Sequence, residues 1–297
     1  MITQSSITAG VKNSAMADFV YQPPPAAITA KRILIKPNLG YPVPPPVTVS
    51  LPVLSQVLRG LRGVNPGAEI ILLEGVCSAI SLREIIDILG VKSILDPGIT
   101  ILDADSLPQQ EYPNLSPFPV RFPSMFAPKI IEEVDCRITI GTLKRTHLKD
   151  KPLISASLKN LYGLFPRSHY KARSPNSRGQ LHRPSVPLIL QDVYFCIGHL
   201  FDGAVVDANL KYFSSNWRPD RGKSIPLGQV FWGDDMISVD RSACLLGDEP
   251  MPSYLEAIDS LRCPNPGLTM KSKVYSWENR YNLPCQKNTN LSSQHRD

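Results

Sequence analysis

The chain has 297 residues, of which 42% are hydrophobic and 20% charged, and its formal net charge is +6. That balance describes a globular protein at the upper end of what one core can hold, and it excludes an intrinsically disordered chain. The basic residues are spread along the chain without aromatic interleaving, and no zinc-finger, RRM or KH pattern is present, so no nucleic-acid partner is expected.

No apolar run is long enough to span a membrane, and the opening MITQSSITAGVKNSAMADF lacks the apolar region of a signal peptide. The expected setting is therefore cytoplasmic, with no membrane partner. Six cysteines (Cys77, Cys136, Cys196, Cys244, Cys263 and Cys285) stand far apart with no CxxC pair. A ferredoxin-type cluster needs closely spaced thiolates, so these read as small core residues. The 29 prolines are about twice the usual share and gather in loops.

In chain order, residues 1–30 read as a loosely held arm ending in Pro23-Pro24-Pro25. Arg32 to Ile35 is a strand closed by Lys36-Pro37-Asn38, because proline cannot donate to the ladder. A stiff GYPVPPP loop follows. Ser50 is an N-cap for a helix to Leu61, with Leu51, Leu54, Leu58 and Leu61 at helical spacing. Glu69 to Leu73 is the second strand, ending in Glu74-Gly75. Ser81-Leu82-Arg83-Glu84 is a capping box that opens the second helix, which stops before Gly90. Strand, helix, strand, helix is a doubly wound pattern. Ile99 to Leu102 and Val120 to Phe122 are further strand candidates, and Lys129 to Val134 is a short helix.

Cys136 to Ile140 is a buried strand that leads into a stretch dense in donors, with Lys144, Arg145, His147, Lys159 and Asn160. The spacing of Ile154, Leu158 and Leu161 predicts a helix from Leu153 or Ile154 to Leu164, with Lys159 and Asn160 off its apolar stripe. A basic loop with His169 and His182 precedes a helix over 184–200. Ala204 to Val206 is a strand ending in Asp207, and residues 212–224 form a polar loop. Gln229 to Trp232 is another strand, and helices cover 236–246 and about 252–261. Residues 263–297 read as a polar tail, which leaves 31–262 as a single α/β domain. Its mostly parallel sheet would carry helices on both faces, with room for a smaller subdomain or inserted loops.

Taken together, these pieces resemble the domain of unknown function 362 family. The resemblance rests on IKPN (Ile35 to Asn38), Glu74-Gly75, the Lys-Arg-Thr-His turn (Lys144 to His147) and LKNLYG (Leu158 to Gly163). It continues through His182, the strand ending in Asp207, and Asp240 on a helix that runs into Leu246-Gly247. It implies an α/β fold with these polar residues converging on one cleft, and it implies no particular reaction. Many members carry ferredoxin-like cysteine modules, which implies redox work for some of them. This chain has no such module, and it has Ala208 where the family usually has glycine.

The chemistry expected of the cluster is anion recognition and proton transfer. Lys36, Arg145 and Lys159 would orient a small carboxylate or phosphate, with Asn38, Asn160 and Asp207 as further binding residues. His147, Glu74, His182 and Lys144 would move protons, since imidazole titrates near neutrality and a lysine desolvated among cations falls towards it. No metal is expected, because lysines repel a cation; Glu74, His147 and Asp240 are the weaker metal alternative. The cofactor is unknown. P-loop, dinucleotide and serine-hydrolase patterns are missing. The two other readings are a redox or cofactor-dependent protein served by a ferredoxin, and a non-catalytic anion-binding protein.

Overall fold

In the computed structural model, which describes residues 8–148, 151–216 and 221–262, the chain alternates strand and helix through its first third. Strand β1 (Lys12–Ala15) and the short helix α1 (Ala26–Thr29) precede β2 (Arg32–Pro37), α2 (Leu51–Val64), β3 (Glu69–Glu74), α3 (Leu82–Ile88) and β4 (Ile99–Asp103). A small hairpin, β5 (Gln109–Pro113) and β6 (Ser124–Pro128), stands apart as a two-stranded sheet. Then come α4 (Ile130–Glu133), β7 (Cys136–Leu148), β8 (Lys151–Ser155), α5 (Ser157–Asn160), α6 (Arg167–Tyr170) and α7 (Val186–Cys196). The chain continues through β9 (Gly203–Ser214), β10 (Lys223–Gly233), α8 (Met236–Leu246) and α9 (Ser253–Arg262).

The main sheet has the order β1-β10-β9-β7-β2-β3-β4, with β8 folded back on β7. Strands β2, β3, β4, β7 and β9 run parallel, while β8, β10 and β1 are antiparallel additions. Every residue of β2 after Arg32 is buried, as in a strand covered on both faces. Side chains alternate between two cores. Ile33, Ile35, Ile70 and Leu72 pack with the apolar sides of α2 and α3, whereas Leu34, Ile71 and Leu73 pack with those of α7, α8 and α9. The fold is thus α/β, with a mostly parallel sheet between helical layers. The chain moves outward from β2 to β3 and β4, then crosses to place β7 on the other side of β2. Strand order therefore reverses between β2 and β7, and ligands of open α/β sheets bind outside the strand ends at such a point.

Local chemistry explains the helices. The Ser50 hydroxyl caps α2 by accepting from the Val53 N–H, Pro52 opens the first turn, and Val53, Leu54, Val57, Leu58 and Leu61 are buried. Past its end, the Asn65 amide donates to Ala27 O at 2.9 Å and Ala30 O at 2.8 Å, which ties α1 to α2. The capping box of α3 forms as expected: Ser81 N–H donates to Glu84 Oε2 at 2.8 Å and Glu84 N–H to the Ser81 hydroxyl at 3.3 Å.

Four local expectations are corrected. The first thirty residues are not loose over their described part, because β1 pairs with β10 and Phe19 and Tyr21 are buried in the core. The helix expected from Leu153 or Ile154 begins only at Ser157, because Lys151–Ser155 pair as β8 with β7. Pairing with β7 outweighs the weak helical spacing. The expected polar loop after Asp207 is instead a long hairpin, in which β9 and β10 align from Phe213 opposite Lys223 to Ala204 opposite Gly233. Finally, Val120 to Phe122 is not a strand. The three N–H groups donate to the buried Asp192 carboxylate at 2.8, 2.9 and 3.0 Å. The expected tail at 263–297 lies outside the described residues. Among the described residues, no helix is long and apolar enough to cross a membrane.

Candidate functional site

At the carboxyl end of β2, proline ends the ladder and leaves the Lys36 side chain buried, 1% exposed. Its ammonium meets three acceptors: Glu74 Oε1 at 2.6 Å, Pro37 O at 2.9 Å and Asn160 Oδ1 at 3.3 Å. Burial pushes the Lys36 pKa down, and the Glu74 carboxylate pulls it back up. Three acceptors match the three N–H bonds of an ammonium, so Lys36 is equipped to stay charged. Glu74 is occupied in turn, its Oε2 accepting from Leu39 N–H at 2.6 Å and its Oε1 from Gly75 N–H at 2.8 Å. The Asn160 amide nitrogen lies 2.8 Å from Lys36 O, 3.1 Å from Thr139 Oγ1 and 3.2 Å from Ile140 O. This knot ties the ends of β2 and β3 and the middle of β7 to the turn α5. A buried ion pair of this kind specifies geometry more than it adds net stability.

Gly163 makes the knot possible. A Cβ there would lie 2.5 Å from Glu74 Oε1 and 2.8 Å from Lys36 Cε, so only glycine lets the turn after α5 approach the pair. Gly75 faces the same turn, where a Cβ would come within 2.0 Å of Gly163 O.

Two further lysines surround the knot. Lys144 is partly buried on β7 and donates a short hydrogen bond to Val47 O. Desolvation first, and then the positive charge of Lys159, bring its pKa down to about 7; Glu74 pulls upward and Lys36 downward. Lys159 is also lowered by desolvation. Its ammonium stands 5.4 Å from the centre of the Tyr162 ring and has no hydrogen-bond acceptor among the described residues. His182 is exposed at the rim, with its ring centre 5.9 Å from that of Tyr162 in an edge-to-face arrangement. Desolvation of the ring and the charge of Lys159 hold His182 below the usual histidine range.

Asn38 shares an acceptor with Lys144. Its amide nitrogen reaches Val47 O at 3.3 Å and Thr142 Oγ1 at 3.0 Å. Asp207 stands behind that segment, where its carboxylate accepts from Ser50 N–H at 2.9 Å and Asn209 N–H at 3.1 Å. It anchors the start of α2 to β9, and burial raises its pKa.

The structure therefore brings Lys36, Glu74, Lys144, Lys159 and Asn160 together, with Asn38 and Asp207 in the adjoining wall and His182 at the rim. It does not bring in Arg145 or His147. Successive residues of a strand point to opposite faces, so both turn away from Lys144. Arg145 pairs with Glu249 at 3.3 Å and covers the Phe213 ring, and His147 is exposed near the tip of the β7–β8 hairpin. The three residues of the alternative metal set stand apart, each in its own surroundings. Asp240 is buried against Ser157 and Leu158, Glu74 belongs to the lysine knot and His147 is on the hairpin. No group of three His, Cys, Asp or Glu suited to a metal occurs among the described residues.

Several neighbours carried no sequence signal. Arg178, 3% exposed, donates to Val76 O at 2.9 Å, Cys77 Sγ at 3.2 Å and Gly163 O at 3.0 Å. It also pairs with Asp105 at 3.2 Å and so clamps the turn that holds Gly163. Cys77 is only partly buried, and its sulfur faces the Arg178 guanidinium. These residues come from segments read as loop or core, and only the folded chain gathers them. An open groove of about 540 Å3 between α3 and β4, lined by Ser81, Arg83, Lys92 and Asp103 among others, contains none of the clustered lysines.

The family model described as "Domain of unknown function (DUF362)" matches residues 33–245. No curated protein is similar enough to count as a match. Among solved structures, the lactate racemase apoprotein from Thermoanaerobacterium thermosaccharolyticum is similar at 14% identity and a TM-score of 0.46. That alignment covers 88% of this chain and 59% of the racemase, so the chain spans less than two thirds of that protein's length.

Proposed function

The chain belongs to the domain of unknown function 362 family, and from that premise we propose that its lysine cleft binds a small carboxylate- or phosphate-bearing molecule and performs acid/base chemistry on it. The observation that carries this reading is the uneven pairing of the lysines. Lys36 has Glu74, whereas Lys144 and Lys159 have no carboxylate partner among the described residues. Two such cations beside a strand-order reversal are an attractive site for an anion.

Roles follow from the surroundings. Lys159 supplies charge to the anion, and Asn38 and Asn160 fix the wall around it. Lys144, near pKa 7, is the group suited to take and return a proton at neutral pH. Lys36 and Glu74 hold the frame, and His182 serves the rim. Arg145 and His147 have no part in this assignment.

Calorimetric titration with oxalate and with inorganic phosphate tests the reading, using the wild-type protein and Lys159→Met. Methionine keeps the length and apolar stem and removes the charge. At least one anion should bind the wild type, and the variant should bind it about tenfold or more weakly, since 1.4 kcal/mol is a factor of ten. Equal affinities would remove Lys159 from the site and with it the cationic-cleft reading.

A further inference from the structure

Two lysines of the cleft, Lys36 and Lys144, differ in how their N–H bonds are used, and the difference bears on substrate class. Lys36 meets three acceptors, whereas Lys144 meets one among the described residues, Val47 O. A primary amine needs only one or two acceptors and keeps a lone pair, whereas an ammonium needs three acceptors and has no lone pair. The backbone carbonyl thus orients Lys144 by one N–H and leaves its lone pair free. The neighbouring positive charge of Lys159 and the partial burial of Lys144 act in the same direction.

Resting on the anion-binding reading above, we infer that Lys144 is a covalent site: its amine condenses with the carbonyl of a small oxo acid whose carboxylate is held by Lys159. The nitrogen lone pair attacks the carbonyl carbon and forms the C–N bond, and the C=O π pair moves to oxygen, which takes up the proton that nitrogen releases. Loss of water from this carbinolamine gives the C=N bond. Amine and carbonyl go in and imine and water come out, with no change of oxidation state. A neighbouring fixed cation is what such an amine needs, because it disfavours protonation of Lys144 and attracts the carboxylate beside the reacting carbon.

The test uses the folded full-length chain with glyoxylate and sodium cyanoborohydride at neutral pH. The reagent delivers hydride to the imine carbon and leaves a stable secondary amine, which peptide mass spectrometry locates. An ordinary lysine is neutral in only about one part in a thousand at that pH. Lys144 should therefore be labelled at least about tenfold faster than the exposed Lys12 and Lys31. Oxalate should suppress the labelling. Lys159→Met should slow labelling by glyoxylate by about tenfold and labelling by acetaldehyde, which has no carboxylate, far less. If oxalate binds but Lys144 is labelled no faster than Lys12 and Lys31, the covalent inference falls and the anion site stands. Equal labelling by glyoxylate and acetaldehyde in both proteins overturns the oxo-acid class. If oxalate and phosphate fail to bind and Lys144 is not labelled, both readings fall.

Discussion

Asp240 and Ser157, 83 residues apart, are joined by a carboxylate that holds the turn carrying the candidate site. Asp240 Oδ1 accepts from Ser157 N–H at 2.8 Å and Oδ2 from Leu158 N–H at 3.0 Å, and the Ser157 hydroxyl also donates to Oδ1. Lys159 and Asn160 are the next residues, so the aspartate on α8 fixes where they stand without touching the cleft.

From this follows a stability prediction. Asp240→Asn keeps one acceptor oxygen and turns an amide towards N–H donors. It should cost about 1–3 kcal/mol, the range for leaving buried donors unmet. Burial is the main cause that raises the Asp240 pKa to about 6, against donors that lower it. The folded protein therefore holds this proton more tightly than the unfolded chain, and wild-type stability should fall as pH rises from about 4 to about 6. The variant should lack that part of the slope. Urea unfolding of both proteins across this window checks it, and parallel pH profiles would rule out Asp240 as the source.

How much of this could be read from residues alone depends on how local each feature is. Helix α3 was legible because its capping box lies within four residues, and β2 because its apolar run ends at a proline. Helix α8 came out at its observed bounds for the same reason, with Asp235 capping it through Ser238. The knot was legible in part: Lys36, Glu74 and Asn160 each mark an element's end. By contrast, the face to which Arg145 and His147 point depends on β7 continuing to Leu148, and that depends on its pairing with β8 and β9. Arg178 reaches the site across a loop, and no periodicity could announce it.

Arg145 offers a test of that division of faces. Its guanidinium pairs with Glu249, whose side chain is 2% exposed and whose other partner is Lys211 at 2.8 Å. Arg145→Met should lower stability by about 1–3 kcal/mol, because a buried carboxylate loses one of two cations. It should leave oxalate affinity unchanged. His147→Ala, at an exposed position, should change stability by less than about 0.5 kcal/mol and affinity not at all. A marked loss of affinity in either variant would place that side chain in the cleft after all.

Gly163→Ala asks whether the close approach matters. The added methyl would sit 2.5 Å from Glu74 Oε1 and 2.8 Å from Lys36 Cε, and neither side chain has room to retreat because both are buried and fully bonded. The expected loss is about 1–3 kcal/mol, as for other overpacked sites, with weakened anion binding because the turn carrying Lys159 must shift. Ala at Gly63, which has open space around it, is the control and should be tolerated. Equal thermal stability of the two variants would show that the turn has slack.

The pH dependence of anion binding gives the most direct test of Lys144. In the free protein its pKa is about 7, lowered by desolvation and by Lys159. A bound anion favours the ammonium, so binding takes up a proton and raises that pKa. Affinity for oxalate, whose carboxylates stay ionised near neutrality, should therefore climb as pH falls towards 7 and level off below it. Above pH 7 the fall should approach tenfold per pH unit until the pKa of the complex is reached. Lys144→Met removes the titrating group and should flatten the profile while lowering affinity in the acid range. The stability effect has the opposite sense. A lysine lowered in the folded state makes the protein less stable where it must be charged, so wild-type stability should rise with pH above about 7 and the methionine variant should not follow it. A wild-type oxalate affinity that stays flat from pH 6 to 9, or a Lys144→Met profile as steep as the wild type, would assign the titration elsewhere and take Lys144 out of the proton-transfer role.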